Sequence, residues 1–260
     1  ELALDAGDVP VLLPDDIAAL RATPGQGYAD THRDDPAFLV YTSGTTGTPK
    51  GATLTHRNIV NNGHFTGRAM GLTEQDRLCI PVPLYHCFGM VLGNLAATAH
   101  GACMVFPGEA FEARQTLATL SRERCTAVHG VPTMFHAMVE HPDFGKFDLS
   151  ALRTGIMSGA PCPVSLMQRV MRDMHASEIT IAYGMTETAP VSFQTSITDP
   201  VSRRTGTVGR VQPHAEVKII DEAGQTVPVG AEGELCTRGY LVMQGYWGDP
   251  ERTAEAIDAE

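Results

Sequence analysis

The run Tyr41-Thr-Ser-Gly-Thr-Thr-Gly-Thr-Pro-Lys-Gly51 gathers hydroxyls and glycines into a short segment and closes it with a lysine. Gly44 and Gly47 let successive backbone N–H groups converge on an anion. Thr42, Ser43, Thr45, Thr46 and Thr48 add hydroxyl donors, and Lys50 supplies the compact positive charge that phosphate oxygens attract. The chemistry such a loop suits is a grip on a polyphosphate. Its spacing is not Gly-x4-Gly-Lys-Ser/Thr, because Gly47 follows Gly44 by three residues and Pro49 separates the glycines from the lysine, so a P-loop kinase is the wrong model. A solvated Ser/Thr/Gly linker is the plain alternative. The apolar lead-in Ala37-Phe-Leu-Val-Tyr41 and the Pro-Lys-Gly exit favour a nucleotide loop.

Three further segments follow in order: Ser158-Gly-Ala-Pro161, Tyr183-Gly-Met-Thr-Glu-Thr188, and Gly233-Glu-Leu-Cys-Thr-Arg-Gly239 with Gly245-Tyr246-Trp247. Together with the first loop they resemble the motifs of the adenylate-forming superfamily, which includes acyl-CoA synthetases, adenylation domains of peptide synthetases and luciferases. The resemblance implies ATP and coenzyme A as co-substrates with Mg²⁺, and a carboxylate oxygen attacking the α-phosphorus in line as pyrophosphate leaves. It places Thr45, Thr46 and Lys50 on the pyrophosphate, Thr186 on the α-phosphate and Glu187 on the metal. Glu187 has an oxygen ligand suited to Mg²⁺, although Thr186-Glu187-Thr188 also reads as a polar loop after a strand. The ring of Tyr183 suits one face of adenine, with the small Gly159-Ala160-Pro161 backbone on the other and Gly184 and Met185 beside it. A core-capping tyrosine and an ordinary turn are the plain alternatives. His86, in Pro83-Leu-Tyr-His-Cys-Phe-Gly89, reads as an orienting or gating residue, since an acid substrate is already ionised at neutral pH; a satisfied structural histidine is the alternative.

For the substrate, peptide-synthetase domains generally hold an amino acid's ammonium with an aspartate where this chain has Cys87-Phe-Gly-Met-Val91. Phe88, Met90, Val91, Met157, Ile181 and Met185 are candidates for an alkyl tunnel, or else ordinary core. The wording is most similar to fatty acyl-CoA synthetases and implies a medium- to long-chain fatty acid. An aryl or hydroxycinnamate acid and a non-catalytic nucleotide-binding module are the alternatives. The family's Thr-Gly-Asp motif, hinge and small C-terminal domain would come after Glu260, and about 150 residues would precede the loop. The expectation is therefore a piece of the large N-terminal domain, poorly active by itself and prone to homo-oligomerise through uncovered surfaces.

The elements that must position these residues follow from composition and periodicity. A chain of 260 residues, 43% hydrophobic, can bury a substantial core, and its net charge of −11 argues against a nucleic-acid surface. The apolar stretch from Met90 to Phe106 is interrupted by Asn94 and His100 and reads as a buried helix and a strand rather than a span of about 20 residues. Six scattered cysteines read as buried free thiols, which places the protein in a reducing, cytoplasmic setting. Strand candidates at 37–42, 77–82, 102–106, 126–130, 152–157 and 178–182 alternate with helix candidates at 56–70, 86–99, 109–122, 132–140 and 163–174. This predicts an α/β fold with βαβ units and a mostly parallel sheet. Residues 1–36 read as a connecting segment, 37–190 as the nucleotide- and acyl-binding lobe, and 191–260 as a β-rich lobe. In that last region Asp221–Gly224 forms a hairpin turn and Asp249-Pro250 opens a final helix.

Overall fold

The expected phosphate loop lies between two antiparallel strands, β1 (Pro36–Thr42) and β2 (Lys50–Thr55), with Thr42 opposite Lys50. The computed structural model describes residues 30–42 and 48–258. Most of the expected connecting segment 1–36, and Ser43, Gly44, Thr45, Thr46 and Gly47 of the loop, lie outside the described residues. The chain divides into Glu1–His32 and Arg33–Glu260, and every described strand and helix belongs to the second unit. The strand expected at 37–42 thus belongs to a hairpin, not to the parallel sheet. Its partner β2 passes directly into helix α1 (His56–Ala69), whose start is fixed by a reciprocal cap. The Thr55 hydroxyl accepts from the Asn58 N–H at 3.1 Å, and the Asn58 side chain accepts from the Thr55 N–H at 2.7 Å.

Five short apolar strands then run parallel: β3 (Arg77–Cys79), β4 (Cys103–Val105), β5 (Ala127–Gly130), β6 (Thr154–Ser158) and β7 (Thr180–Gly184). β3 stops earlier than its apolar pattern predicts, since Pro81 and Pro83 have no N–H to give a ladder. Between β3 and β4 the helix predicted over 86–99 is π-helical over Phe88–Leu95 and α-helical only in α2 (Ala96–His100). The other crossovers are α3 (Ala113–Arg122), α4 (Pro132–Val139) and α5 (Val164–Asp173). After β7 the chain adds β8 (Val191–Gln194), α6 (Val201–Gly206) and β9 (Arg210–Val211), giving a seven-stranded sheet ordered β4-β3-β5-β6-β7-β8-β9, its last two pairings antiparallel. β10 (Ala215–Ile220) and β11 (Glu234–Gly239) pair only with each other, and β12 (Gly245–Tyr246) adds to β2. The turn at 221–224 forms as expected, with the Asp221 carboxylate accepting from the Ala223 and Gln225 N–H groups. Asp249 caps α7 (Pro250–Ala256) by accepting from the Arg252 N–H.

Strand alternation sends side chains to two separate cores. Ile156 and Ala182 face the layer of α1 and the π-helix, whereas Met157 and Ile181 face that of α3, α4 and α5. At the amino edge of the sheet the nearly buried Asp76 carboxylate accepts from the Thr73 N–H (2.8 Å), the Thr126 hydroxyl (2.7 Å) and Arg153 (2.7 Å), and Arg153 also reaches Glu178 at 2.6 Å. Burial raises the Asp76 pKa, and these donors more than offset it, leaving it below the ordinary carboxylate value. One ionic knot therefore joins the starts of β3, β5, β6 and β7. Four cysteines are buried as free thiols, but Cys103 on the edge strand is exposed and Cys236 half-buried, so the expectation of six buried thiols is corrected.

Candidate active site

Side chains from distant parts of the sequence meet at the other, carboxyl edge, where open α/β sheets place their ligands. The loops after β3, β6 and β7 and the loop end of the β1–β2 hairpin line a cavity of about 440 Å³. Its polar lining consists of Thr42, Lys50, His86, Ser158, Thr186 and Glu187, and its apolar lining includes Phe88, Leu92, Met185, Pro190 and Val191. Cys87, Gly159, Tyr183 and Gly184 complete the wall. Thr48, Ala160 and Pro161, also expected at the site, stand outside that wall and are exposed; of the 159–161 backbone only Gly159 reaches the cavity.

Local chemistry explains how each group is held. Gly184 sits at a bulge where a Cβ would lie 1.9 Å from the Pro190 carbonyl oxygen, so only glycine lets β7 turn into the loop that carries Thr186 and Glu187. The buried Thr188 hydroxyl accepts from the Met185 N–H and from Ser192, pinning that loop while Thr186 and Glu187 line the cavity. Tyr183 is 41% exposed and packs edge-on against Phe193, which leaves ring surface toward the cavity. Ser158 donates to the Ala182 carbonyl at 2.6 Å and ties the two strand ends together.

The charges are unusually free of partners. Among the described residues no carboxylate pairs with Lys50; its ammonium lies over the Tyr246 ring, 4.4 Å from the centroid. The Tyr246 hydroxyl donates to Glu187 Oε1 at 2.8 Å, and the buried Thr42 hydroxyl has no partner among the described residues. Burial, and then its hydrogen bond to Glu187, push the Tyr246 hydroxyl up to about 12, so it remains a donor. Burial likewise raises the Cys87 thiol to about 11, which excludes a thiolate nucleophile near neutral pH. His86 Nδ1 accepts from the Phe88 N–H at 3.0 Å and burial lowers its pKa, so the ring is neutral with its proton on Nε2.

Of the six residues considered for an alkyl tunnel, Phe88 and Met185 line the cavity. Met157 and Ile181 face the opposite core, because a strand's period of two sends them away, and Val91 is fully buried. Leu92, Pro190 and Val191 join the lining as well. Pro190 and Val191 carry no signal in the sequence pattern, whereas the four-residue spacing from Phe88, which shares a face in an α-helix as in a π-helix, could have found Leu92. Behind it His129, fully buried on β5, donates from Nε2 to the Leu92 carbonyl at 2.8 Å, has an unpartnered Nδ1, and is held by desolvation at a pKa of about 4.

Comparison with known proteins identifies the family. The family described as "AMP-binding enzyme" matches residues 2–247. The acyl-CoA ligase sidI of Aspergillus fumigatus is 51% identical over 229 residues, which is 88% of this chain and 39% of that protein. The medium-chain acyl-CoA ligase ACSF2, mitochondrial, of Danio rerio is 47% identical over 227 residues, 86% of this chain and 38% of that protein. The chain thus spans about two fifths of the length of these relatives. Among solved structures, anthranilate CoA ligase AuaEII in complex with anthranoyl-AMP superposes with a TM-score of 0.83 at 30% identity, covering 91% of this chain and 45% of that one. The inhibitor-bound N-terminal domain of FACL13 from Mycobacterium tuberculosis gives 0.82 at 26% identity, covering 94% and 60%. On the family match over residues 2–247 and relatives about half identical, this chain belongs to the AMP-binding, adenylate-forming enzyme family.

Proposed function

We propose that the protein containing this chain activates a medium- to long-chain fatty acid with ATP and passes the acyl group to coenzyme A. The observation that supports it is a single cavity in which an unpaired lysine, an accessible carboxylate and hydroxyls adjoin an apolar lining. A carboxylate oxygen of the acid attacks the α-phosphorus while the bond to the bridging oxygen of pyrophosphate breaks, and the leaving group takes that electron pair. The coenzyme A thiol then attacks the acyl carbon, AMP departs, and the thiol proton goes to solvent. Lys50 screens the leaving pyrophosphate, Thr186 donates to the α-phosphate, and Tyr183 and Gly159 flank adenine. His86, neutral and anchored through Nδ1, presents Nε2–H as an orienting donor for the acid. Phe88, Leu92 and Val191 accept the start of an alkyl chain, each buried methylene contributing about 0.8 kcal/mol.

Glu187 is the residue that would hold magnesium. No group of three or more His, Cys, Asp or Glu side chains converges among the described residues, and one carboxylate with substrate phosphates is a donor set that suits Mg²⁺. When bound, the ion would neutralise charge on the β- and γ-phosphates. Among the described residues no helix is long and apolar enough to cross a membrane. The free thiols fit a reducing compartment, and we read the location as cytoplasmic.

A second reading, an aryl acid substrate, is favoured by the fold match to a ligase solved with anthranoyl-AMP. ATP–pyrophosphate exchange by the intact protein with dodecanoate, hexanoate, anthranilate and leucine separates the readings. Exchange strongest with dodecanoate and absent with leucine is expected. Preference for anthranilate would establish the aryl reading. No exchange with any acid, despite ATP binding, would leave a non-catalytic nucleotide module.

A further inference from the structure

Lys50 and Glu187 carry opposite charges and line the same cavity, yet they do not pair; the residue between them is Tyr246. A direct ion pair would satisfy each charge with the other and leave less of either for a ligand. The geometry points to Tyr246 as the positioning residue of the charged part of the site: its hydroxyl holds one Glu187 oxygen so that the other is left for a cation, and its ring face keeps the Lys50 ammonium available for phosphate. This inference rests on the reading of Glu187 as the carboxylate on the metal side.

Tyr246 is well placed to do so because it is itself fixed. It lies opposite Ala52 in the β12–β2 pairing, two residues beyond Lys50, and is only 8% exposed. Its N–H donates to the Thr253 hydroxyl at 2.9 Å, and that hydroxyl donates in turn to the Asp249 carbonyl at 2.7 Å. Gly245, at φ +147°, allows this approach, since a Cβ there would sit 2.6 Å from Thr253 Cγ2. The same segment holds the backbone of Glu187, whose carbonyl accepts from the Met243 N–H at 2.9 Å. Main chain and carboxylate of Glu187 are therefore both referenced to residues 243–246, and the rotamer freedom that a glutamate ordinarily loses on binding a cation is restricted beforehand.

The test uses the intact protein with Mn²⁺ as the probe, titrated by electron paramagnetic resonance in the presence of α,β-methylene-ATP, with AMP binding measured separately by calorimetry. Tyr246→Phe keeps the ring and removes one charge-assisted hydrogen bond. It should weaken Mn²⁺ binding about tenfold while AMP affinity stays unchanged. Tyr246→Leu, which also removes the ring beneath Lys50, should in addition weaken the triphosphate analogue in the absence of metal. In Glu187→Gln the further Tyr246→Phe change should add nothing, because the tyrosine acts through that carboxylate. Wild-type Mn²⁺ affinity in Tyr246→Phe, with Glu187→Gln weakened, would overturn the role of Tyr246 and spare that of Glu187. An equal loss of Mn²⁺ and AMP would reduce Tyr246 to a packing residue. Unchanged Mn²⁺ binding in Glu187→Gln would remove both readings.

Discussion

The two edges of the parallel sheet use charge in opposite ways. At the amino edge Asp76, Arg153 and Glu178 satisfy one another and the nearby Thr73 and Thr126 donors. At the carboxyl edge, among the described residues, Lys50 has an aromatic ring in place of a carboxylate, Glu187 has one tyrosine hydroxyl, and the Thr42 hydroxyl has nothing. Buried polar groups are normally satisfied, so a set of groups with capacity to spare marks where a ligand completes the bonding. The first edge is finished without a ligand and the second is not.

That contrast is sharpest at Asp76. Asp76→Ala leaves the largely buried Arg153 guanidinium short of a partner and should cost about 3 kcal/mol of stability, read as a fall in the urea midpoint, with AMP affinity retained. The ordering of effects reverses at Lys50. Lys50→Ala should lower kcat/KM for ATP in the intact protein by about a hundredfold while the urea midpoint stays near that of the wild type. If Lys50→Ala instead unfolded the protein, or Asp76→Ala abolished nucleotide binding, the division between the edges would not hold.

A third test separates the edges by pH. His129 has a folded pKa near 4 against about 6.5 unfolded, so the unfolded chain binds more protons between those values. Its contribution is complete above pH 6.5 and is lost as pH falls toward 4, by about 2 kcal/mol at pH 5. The Asp76 contribution is present above the ordinary value of 3.8 and is lost only below it. Urea midpoints should therefore fall between pH 7 and 5 in the wild type and much less in His129→Leu, while Asp76→Ala keeps the wild-type slope over that range. The smallest effect is expected at Leu92. Leu92→Phe narrows the apolar lining and should shift the preference between dodecanoate and hexanoate by about tenfold toward the shorter acid, one to two kilocalories of packing at most. An unchanged ratio would take Leu92 out of the acyl path.

Much of this was legible in the sequence, for physical reasons that can be named residue by residue. The parallel strands announce themselves because both faces are buried and their runs are apolar and short. Asp249-Pro250 announces a helix because a cap and a first-turn proline are local chemistry. Thr42, Lys50, His86, Tyr183, Thr186 and Glu187 carry the polar chemistry, and the fold brings them to one cavity. What escaped was mostly non-local or turned on which face of a strand a side chain takes. β1 looks like a parallel strand from its composition, and only the pairing of Thr42 with Lys50 makes it half of a hairpin. Met157 and Ile181 have the right apolar character, but strand period alone does not say which core each faces. Leu92, four residues after Phe88 on the same helix face, was there to be found from helical spacing, whereas Tyr246 was hidden by a contact with Glu187 that no spacing rule links.

The cap at the start of α1 carries a consequence for how the molecule is made. Asn58, besides pairing with Thr55, donates to the carbonyl of Val242, 184 residues downstream, and β2 gains its outer neighbour only from β12. At synthesis rates of about 5–20 residues per second, the hairpin with its phosphate loop waits roughly 10–40 s on the ribosome before the strand that braces it exists. The sheet can assemble in sequence as its crossovers emerge, whereas the proposed nucleotide site is complete only late and all at once. A nascent chain halted before residue 240 should be protected from protease over β3 to β7 and still blind to ATP.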